Sequence, residues 1–347
     1  MRGVHQVVAG AAPYDAITHH VLESRALIRG MGLRSEVFCD DRFLHPALAG
    51  QVHPASEWGA VAHQGDAAVL HYSIASPVFR EVAGRASRCA LYYQNITPPE
   101  LLWRDAPLLA LECARGLAAL PGLAPLVSAC AGNSGFTARE LTRHGDFRDP
   151  LPLGILRPPL PPAPPPVPAA PEEGVRMLFV GRGVPNKAQH HLLLTLASLR
   201  QAGVEATLTL VGSWGGAPGY ERRCRDLARD LRLGDRVRFA GAVDDRALAA
   251  AYVCLSDHEG FCVPIMEAMN AGLPIVAFAA AAVPETLGDA GLLLPAKPPS
   301  LVAEAVAEVA ANPALRARMA AARPRQLERL SPERLAPGIR ALVEAIL

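Results

Sequence analysis

The chain has 347 residues, half of them apolar and 19% charged, a globular composition too long for one ordinary core and suited to two domains. A formal charge of +1 gives no reason to expect nucleic acid or a generally basic, membrane-binding surface. The seven cysteines are odd in number, scattered and never spaced as CxxC, and neither a leader nor a run of about 18 apolar residues occurs; this speaks against a disulfide framework or zinc site and for a cytoplasmic, reducing setting.

In chain order, Val4–Ala9 reads as a first strand and Gly10–Ile17 as the loop after it. The spacing of Val21, Leu22, Ala26 and Leu27 predicts a helix over Thr18–Arg29 that stops at Gly30. Strands follow at Ser35–Cys39, Ala67–His71, Ala90–Tyr93 and Leu126–Ala129, with helices at Pro77–Ala83 and Leu108–Leu117. Asn133 and Ser134 can cap a helix over Phe136–His144. This alternation indicates βαβ units and a mostly parallel sheet.

Between Pro158 and Pro171 nine of fourteen residues are proline, which rules out a strand or helix interior and reads as an extended, semi-rigid connector. The pattern then restarts. Strands are predicted at Met177–Val180, Thr207–Val211 and Val237–Ala240, and helices at Lys187–Gln201, Tyr220–Leu231 and Asp244–Ala251. A helical tail covers Ser300–Ala311, Pro313–Leu330 and Pro332–Ile346. The expected division is a first domain over 1–157, a linker over 158–172, a second domain over 173–332 and a final segment over 333–347.

Two stretches of the second half carry chemistry. Phe179-Val-Gly-Arg-Gly-Val-Pro-Asn-Lys187 leaves its first strand; Gly181 and Gly183 permit a tight turn, and Arg182 and Lys187 set two cations at the strand's carboxyl end. Each charge-assisted contact to a diphosphate contributes roughly 1.5–3 kcal/mol, and both cations would stabilise charge growing on a departing phosphate. A solvated Arg and a Lys at a helix start is the plain alternative, weakened because a cation is unfavourable there.

The second stretch begins at Tyr252–Leu255, a short buried strand, and continues through the loop Ser256–Gly260 into a helix Pro264–Asn270 and a strand Pro274–Ala277. Glu259 in the loop and Glu267 in the helix are separated by seven residues. Between them the amides of Phe261, Cys262 and Val263 offer an anion seat. Carboxylates accept from hydroxyls and amides donate to phosphates, a pairing that suits a nucleotide sugar. The alternative is a solvated Glu259 and a helix-dipole Glu267.

Glu-Gly-Phe-Cys-Val-Pro-Ile-Met-Glu-Ala-Met, Ala-Gly-Leu-Pro-Ile-Val and Val-Pro-Glu-Thr-Leu-Gly-Asp-Ala-Gly-Leu-Leu together resemble the signature of retaining glycosyltransferases of family 4. The resemblance implies an α/β fold of the GT-B kind, with two doubly wound, Rossmann-like domains facing across a cleft. It implies that Arg182 and Lys187 grip the donor diphosphate and that Glu259 accepts from hydroxyls of the transferred sugar. Gly260, Phe261, Cys262 and Val263 would present backbone N–H groups, and Glu267 would accept from the ribose. The cationic grip would replace a metal, so neither a divalent ion nor another cofactor is expected. Glu333–Leu347 would cross back onto the first domain.

The first domain resembles the family less closely. Tyr92-Tyr-Gln-Asn-Ile-Thr-Pro is similar to a family segment in which a His stands at Gln94, and Gln cannot carry a proton. Gln94 and Asn95, with Ser73 and Ser76 after the Ala67–His71 strand, are candidates for the cleft; Ser76 is equally a helix cap. Asp15 is either an acceptor contact or a solvated carboxylate. Cys262 stands where the family has a second Gly and Ala281-Ala282 where a Gly pair is common, so a left-handed backbone there would be strained. The reading is transfer of a hexosyl group, mannosyl or glucosyl, to a glycan or glycolipid acceptor, with peripheral membrane contact allowed. The rivals are a nucleotide-sugar-binding protein without transfer activity and a GT-B phosphorylase or epimerase.

Overall fold

The structure, a computed structural model, describes residues 2–13, 15–158, 160, 174–241 and 251–347. Most of the expected linker 158–172, the expected helix at Asp244–Ala251 up to its last residue, and Tyr14 lie outside the described residues. Among the described residues there are two sheets, parallel throughout. The first holds β1 (Val4–Val8), β2 (Val37–Cys39), β3 (His53–Pro54), β4 (Ala67–Tyr72), β5 (Cys89–Tyr93), β6 (Ala129–Gly132) and β7 (Leu151–Pro152), in the order β3-β2-β1-β4-β5-β6-β7. The second holds β8 (Val175–Val180), β9 (Ala206–Val211), β10 (Val237–Phe239), β11 (Ala251–Cys254), β12 (Ile275–Phe278) and β13 (Leu292–Leu294), in the order β10-β9-β8-β11-β12-β13.

Both sheets are doubly wound. β1, β4, β5 and β11 are buried along their whole length, as strands covered by helices on both faces must be. In each sheet the winding reverses once, between β1 and β4 and between β8 and β11, and ligands of open α/β sheets collect outside the strand ends at such a reversal. Tyr252 pairs with Leu178, so the ends of β8 and β11 emerge side by side.

The chain forms two compact units. One comprises Met1–Ile96, Glu112–Pro159 and Arg329–Leu347; the other comprises Thr97–Leu111 and Leu160–Glu328. The edge after Pro159 falls beside the boundary expected at 157, but Thr97–Leu111, expected within the first domain, groups with the second unit. Ala106 and Leu109 pack into that unit's apolar core, and Asp105 accepts from Arg223 at 2.5 Å. In the first unit the helix Pro332–Glu344 buries Ile339, Leu342 and Val343 against Val4, Ile28, Val69 and Tyr92.

Element boundaries shift where local chemistry was misread. β6 starts three residues after the predicted Leu126, because Leu120–Leu126, with Pro121 and Pro125, winds as a 3-10 helix. Lys187 does not begin the following helix: Pro185–Lys187 is a 3-10 turn, Ala188 is left-handed at φ 53°, and the helix runs Gln189–Gln201. The short edge strands β3, β7 and β13 carry too little pattern to be read from sequence. One stretch, Pro107–Leu126, is long and apolar enough by composition to cross a membrane, with mean hydropathy 1.2, although no continuous apolar run was expected. Leu108 and Leu111 on it, and Trp103 before it, are exposed.

Leu342→Ala removes a side chain that is 1% exposed. It should lower unfolding free energy by about 2–5 kcal/mol, read as a lower urea midpoint.

Candidate functional site

The site is built where β8 and β11 end. After β8 the chain turns through Gly181, Arg182 and Gly183; the Trp214 ring lies so close over Gly183 that any side chain there would collide with it. After β11 it runs from Leu255 through Glu259 to Cys262, which opens the helix Val263–Asn270. Asn186 holds the two loops together. Its carbonyl accepts from the Asp257 amide at 2.8 Å, and its Nδ2 donates to the His258 carbonyl at 3.3 Å. Gln189 Nε2 donates to the Arg182 carbonyl at 2.8 Å, and Lys297 Nζ donates to Asp257 Oδ1 at 2.6 Å and to the Leu255 carbonyl at 2.9 Å. Sequence reasoning missed Asn186, Gln189 and Lys297, because their partners are backbone atoms or lie dozens of residues away.

At the centre, Lys187 Nζ donates to Glu259 Oε1 at 2.6 Å, with side chains 18% and 8% exposed. Burial depresses the Lys187 pKa and the Glu259 carboxylate raises it; the carboxylate prevails, so the ammonium persists above the ordinary lysine range. Arg182 has a different standing. It is exposed, and among the described residues its guanidinium has no ion-pair partner. The structure thus brings Lys187 to Glu259 and leaves Arg182 open to solvent at the same strand end. Glu267 is half-buried on the helix, again without a cationic partner among the described residues. The amides of Phe261, Cys262 and Val263 donate to no backbone carbonyl among those residues, as expected at a helix start. Phe261 is held from its other side, since the Thr286 hydroxyl donates to its carbonyl.

Three residues around this centre are left-handed without being glycine: Ala188 at φ 53°, Cys262 at φ 70° and Ala281 at φ 51°. The strain foreseen at Cys262 and Ala281 is present; Ala282, at φ −85°, is unstrained and donates to the Glu259 carbonyl at 3.2 Å. Cys262 also meets Cys254, with sulfurs 3.9 Å apart and both within 4.8 Å of a Glu259 oxygen. The hydrogen bond to Cys254, together with burial, pushes the Cys262 thiol well above its ordinary pKa. Eight positions apart in sequence, the pair was invisible to spacing rules; strand, loop and helix start fold it together.

The first-domain candidates lie in the first unit. Asp15 is a cap: its carboxylate accepts from the Thr18 amide at 2.8 Å and hydroxyl at 3.0 Å. Ser134 caps the helix Gly135–Leu141, shorter than expected, and Asn133 Nδ2 donates to the Gln94 carbonyl at 3.2 Å. Ser76 does more than cap, donating to Asp40 Oδ2 at 2.6 Å and accepting from the Val78 amide at 3.3 Å. Ser73 is half-buried just past β4, and Asn95 is left-handed at φ 80°. Gln94 is buried, with Nε2 at 3.1 Å from His71 Nδ1, whose Nε2 lies 2.8 Å from Gln6 Oε1. His71 stacks on Tyr92, and burial, then His20, hold its pKa well below the ordinary value.

Residues 165–326 match the family described as glycosyl transferases group 1. Among curated proteins, the GDP-mannose-dependent alpha-(1-6)-phosphatidylinositol monomannoside mannosyltransferase of Mycobacterium tuberculosis is 33% identical over 148 residues, 38% of this chain and 37% of that protein. A D-inositol 3-phosphate glycosyltransferase of Streptomyces avermitilis is 31% identical over 171 residues, 46% of this chain and 37% of that one. The matches thus span little more than a third of these relatives' own length. Among solved structures, sucrose-phosphate synthase from Thermosynechococcus elongatus superposes with a TM-score of 0.74 at 18% identity, covering 99% of this chain and 98% of that one. Anabaena HepE, solved with UDP and glucose, gives 0.73 at 18% identity over 99% and 100%. The fold is that of the GT-B glycosyltransferases. Over residues 165–326 the chain is thus similar to the group 1 glycosyl transferases.

Cys262→Gly and Ala281→Gly should each raise the unfolding free energy by about 1 kcal/mol, measured by urea denaturation; a loss of stability would mean the left-handed backbone is not strained. A second expectation concerns acid. Burial holds His20 down at about 3 against an ordinary 6.5. Between those values the unfolded chain carries the proton and the folded chain does not. Stability should therefore fall as pH drops below 6.5, by up to about 1.4 kcal/mol per pH unit for each such histidine. His20→Gln should show a shallower slope in urea titrations between neutral and mildly acid pH.

Proposed function

We propose that the chain is a retaining glycosyltransferase that moves a hexosyl group from a nucleoside-diphosphate sugar to a glycan or glycolipid. The observation that carries this is the Lys187–Glu259 pair at the β8/β11 reversal, flanked by the open Arg182 and the free-ended helix Val263–Asn270. Arg182 would bind the diphosphate directly. Lys187, already charged, would turn part of its field onto it while keeping its contact with Glu259. The second oxygen of Glu259 would accept from a sugar hydroxyl, and Glu267 from the ribose. The backbone amides at Gly260, Phe261, Cys262 and Val263 would donate to phosphate and sugar.

As the sugar–phosphate bond breaks, the negative charge grows where Arg182 and Lys187 stand, and fixed cations there stabilise the transition state most. The acceptor would enter from the face the diphosphate leaves, and the leaving phosphate oxygen would take its proton, so that configuration is kept without a side-chain base. On this reading the chemistry needs no divalent ion. GDP-mannose is the donor named for the mycobacterial relative, and UDP-glucose accompanies HepE in another structure. Both belong in the donor test, with the mannosyl group placed first. Exposed Trp103, Leu108 and Leu111 are consistent with a lipid-linked acceptor met at the inner face of a membrane, from the cytoplasm.

A second reading, donor binding without transfer, is favoured by one observation: Gln94 is tied to His71 through its amide and offers no proton. Donor turnover in acceptor mixtures separates the two readings.

A thermal-shift screen against GDP-, UDP- and ADP-sugars identifies the donor by the rise in Tm that ligand linkage produces. Arg182→Ala should weaken nucleoside-diphosphate binding about 10- to 100-fold at unchanged Tm, since the exposed side chain holds nothing in the fold; unchanged affinity in calorimetry would reject the phosphate site. Glu259→Gln should lower kcat by about 100-fold or more. Near wild-type turnover in that variant would remove Glu259 from the mechanism.

A further inference from the structure

The pair of thiols under the donor seat has no part in the transfer reaction as proposed. Cys254 and Cys262 are 0% and 5% exposed, and their sulfurs stand 3.9 Å apart. A tetrahedral cation bound to two thiolates at about 2.3 Å sets its sulfurs about 3.8 Å apart. A disulfide would need them at about 2.05 Å. The spacing therefore matches a shared metal far better than a bond. A Glu259 oxygen lies within 4.8 Å of both sulfurs, and Ser256 Oγ is 3.5 Å from Cys254 Sγ. Two sulfurs and a carboxylate suit a soft or borderline divalent cation and not magnesium or calcium.

We propose that Cys254, Cys262 and Glu259 form a binding site for one thiophilic divalent cation of the zinc type, and that its occupation closes the donor seat. On binding, two S–H bonds break and their protons leave to solvent, while two metal–sulfur bonds and one metal–oxygen bond form. The oxygen comes from the carboxylate that Lys187 now holds at 2.6 Å. The metal therefore draws Glu259 off the ammonium and out of reach of a sugar hydroxyl. It acts as an inhibitor, distinct from the metal-free transfer chemistry. The closing of the seat rests on the reading of Glu259 as a donor ligand; the metal site itself does not.

The test uses the full reduced chain, titrated with Cd²⁺ alone as a spectroscopic stand-in for zinc. One equivalent should produce ultraviolet thiolate-to-metal absorption, and Cys262→Gly, which relieves backbone strain and so folds, should lose it. Cys254→Ser should lose it as well. Absorption absent from the wild type, or unchanged in Cys262→Gly, overturns the site. So does a loss of two titratable thiols in air without metal, which would mean a disulfide. In calorimetry Zn²⁺ should weaken binding of the nucleotide sugar to the wild type and make no difference to Cys254→Ser; unchanged nucleotide-sugar affinity in the metal-loaded wild type would overturn the closing of the seat. If metal binds but nucleoside diphosphate binds even the metal-free chain nowhere, the metal site stands and the donor reading alone falls.

Discussion

A buried ammonium and a buried carboxylate are each costly alone, and Lys187 and Glu259 are tolerable because each is the other's solvent. They come from loops 72 residues apart, and their contact fixes how the turn after β8 sits against the turn after β11. Removing either partner would leave a charge stranded at a cost of about 3–5 kcal/mol. The pair is therefore both a structural clasp and the feature from which the donor-binding reading grows. Its raised lysine pKa follows from the same contact: the carboxylate wins against burial, so the cation does not fade at any ordinary pH.

The clasp is held under strain. Ala188, Cys262 and Ala281 sit in the left-handed region, in the loops that meet at this point. Strain of this kind survives only when neighbouring contacts over-determine it, and the contacts are visible. Asn186 is bonded across to residues 257 and 258, Gln189 to the Arg182 carbonyl, and the Glu259 carbonyl to the Ala282 amide. Each tie uses backbone polar groups that would otherwise be buried without partners. The loops are thus specified less by their own propensities than by one another.

That division explains what could be read in the sequence. The alternation of buried runs with helical spacing made the two doubly wound sheets legible, because β11 is apolar end to end and β4 is apolar but for His71 and the Tyr72 hydroxyl. Arg182, Lys187, Glu259 and Glu267 were legible as candidates because two cations follow one strand and a loop and a helix carboxylate follow another, in stretches that resemble the family 4 signature. What could not be read was pairing. Nothing local distinguishes Lys187, engaged at 2.6 Å, from Arg182, which is exposed. The nearness of Cys254 and Cys262 depends on a left-handed turn that a cysteine does not advertise. Asp15, open between an acceptor contact and a solvated carboxylate, caps a helix because Thr18, three residues on, offers it both an amide and a hydroxyl. The segment Thr97–Leu111 was misplaced for a similar reason: its allegiance is set by Arg223, more than a hundred residues later.

The first unit is assembled from three pieces, and the last of them, Arg329–Leu347, supplies Ile339, Leu342, Val343 and Ile346 to its core. Domains ordinarily fold in the order in which the ribosome delivers them. Here that order leaves part of the first unit's core open. When the strands β1 to β7 have all emerged, the apolar face meant for Pro332–Glu344 is still bare, and it stays bare while the whole second unit is translated. The cluster around Val8, Val21 and Val37 needs nothing from the tail, but the other face of the nascent first unit waits through nearly half of the chain's translation with a hydrophobic flank that a chaperone could recognise.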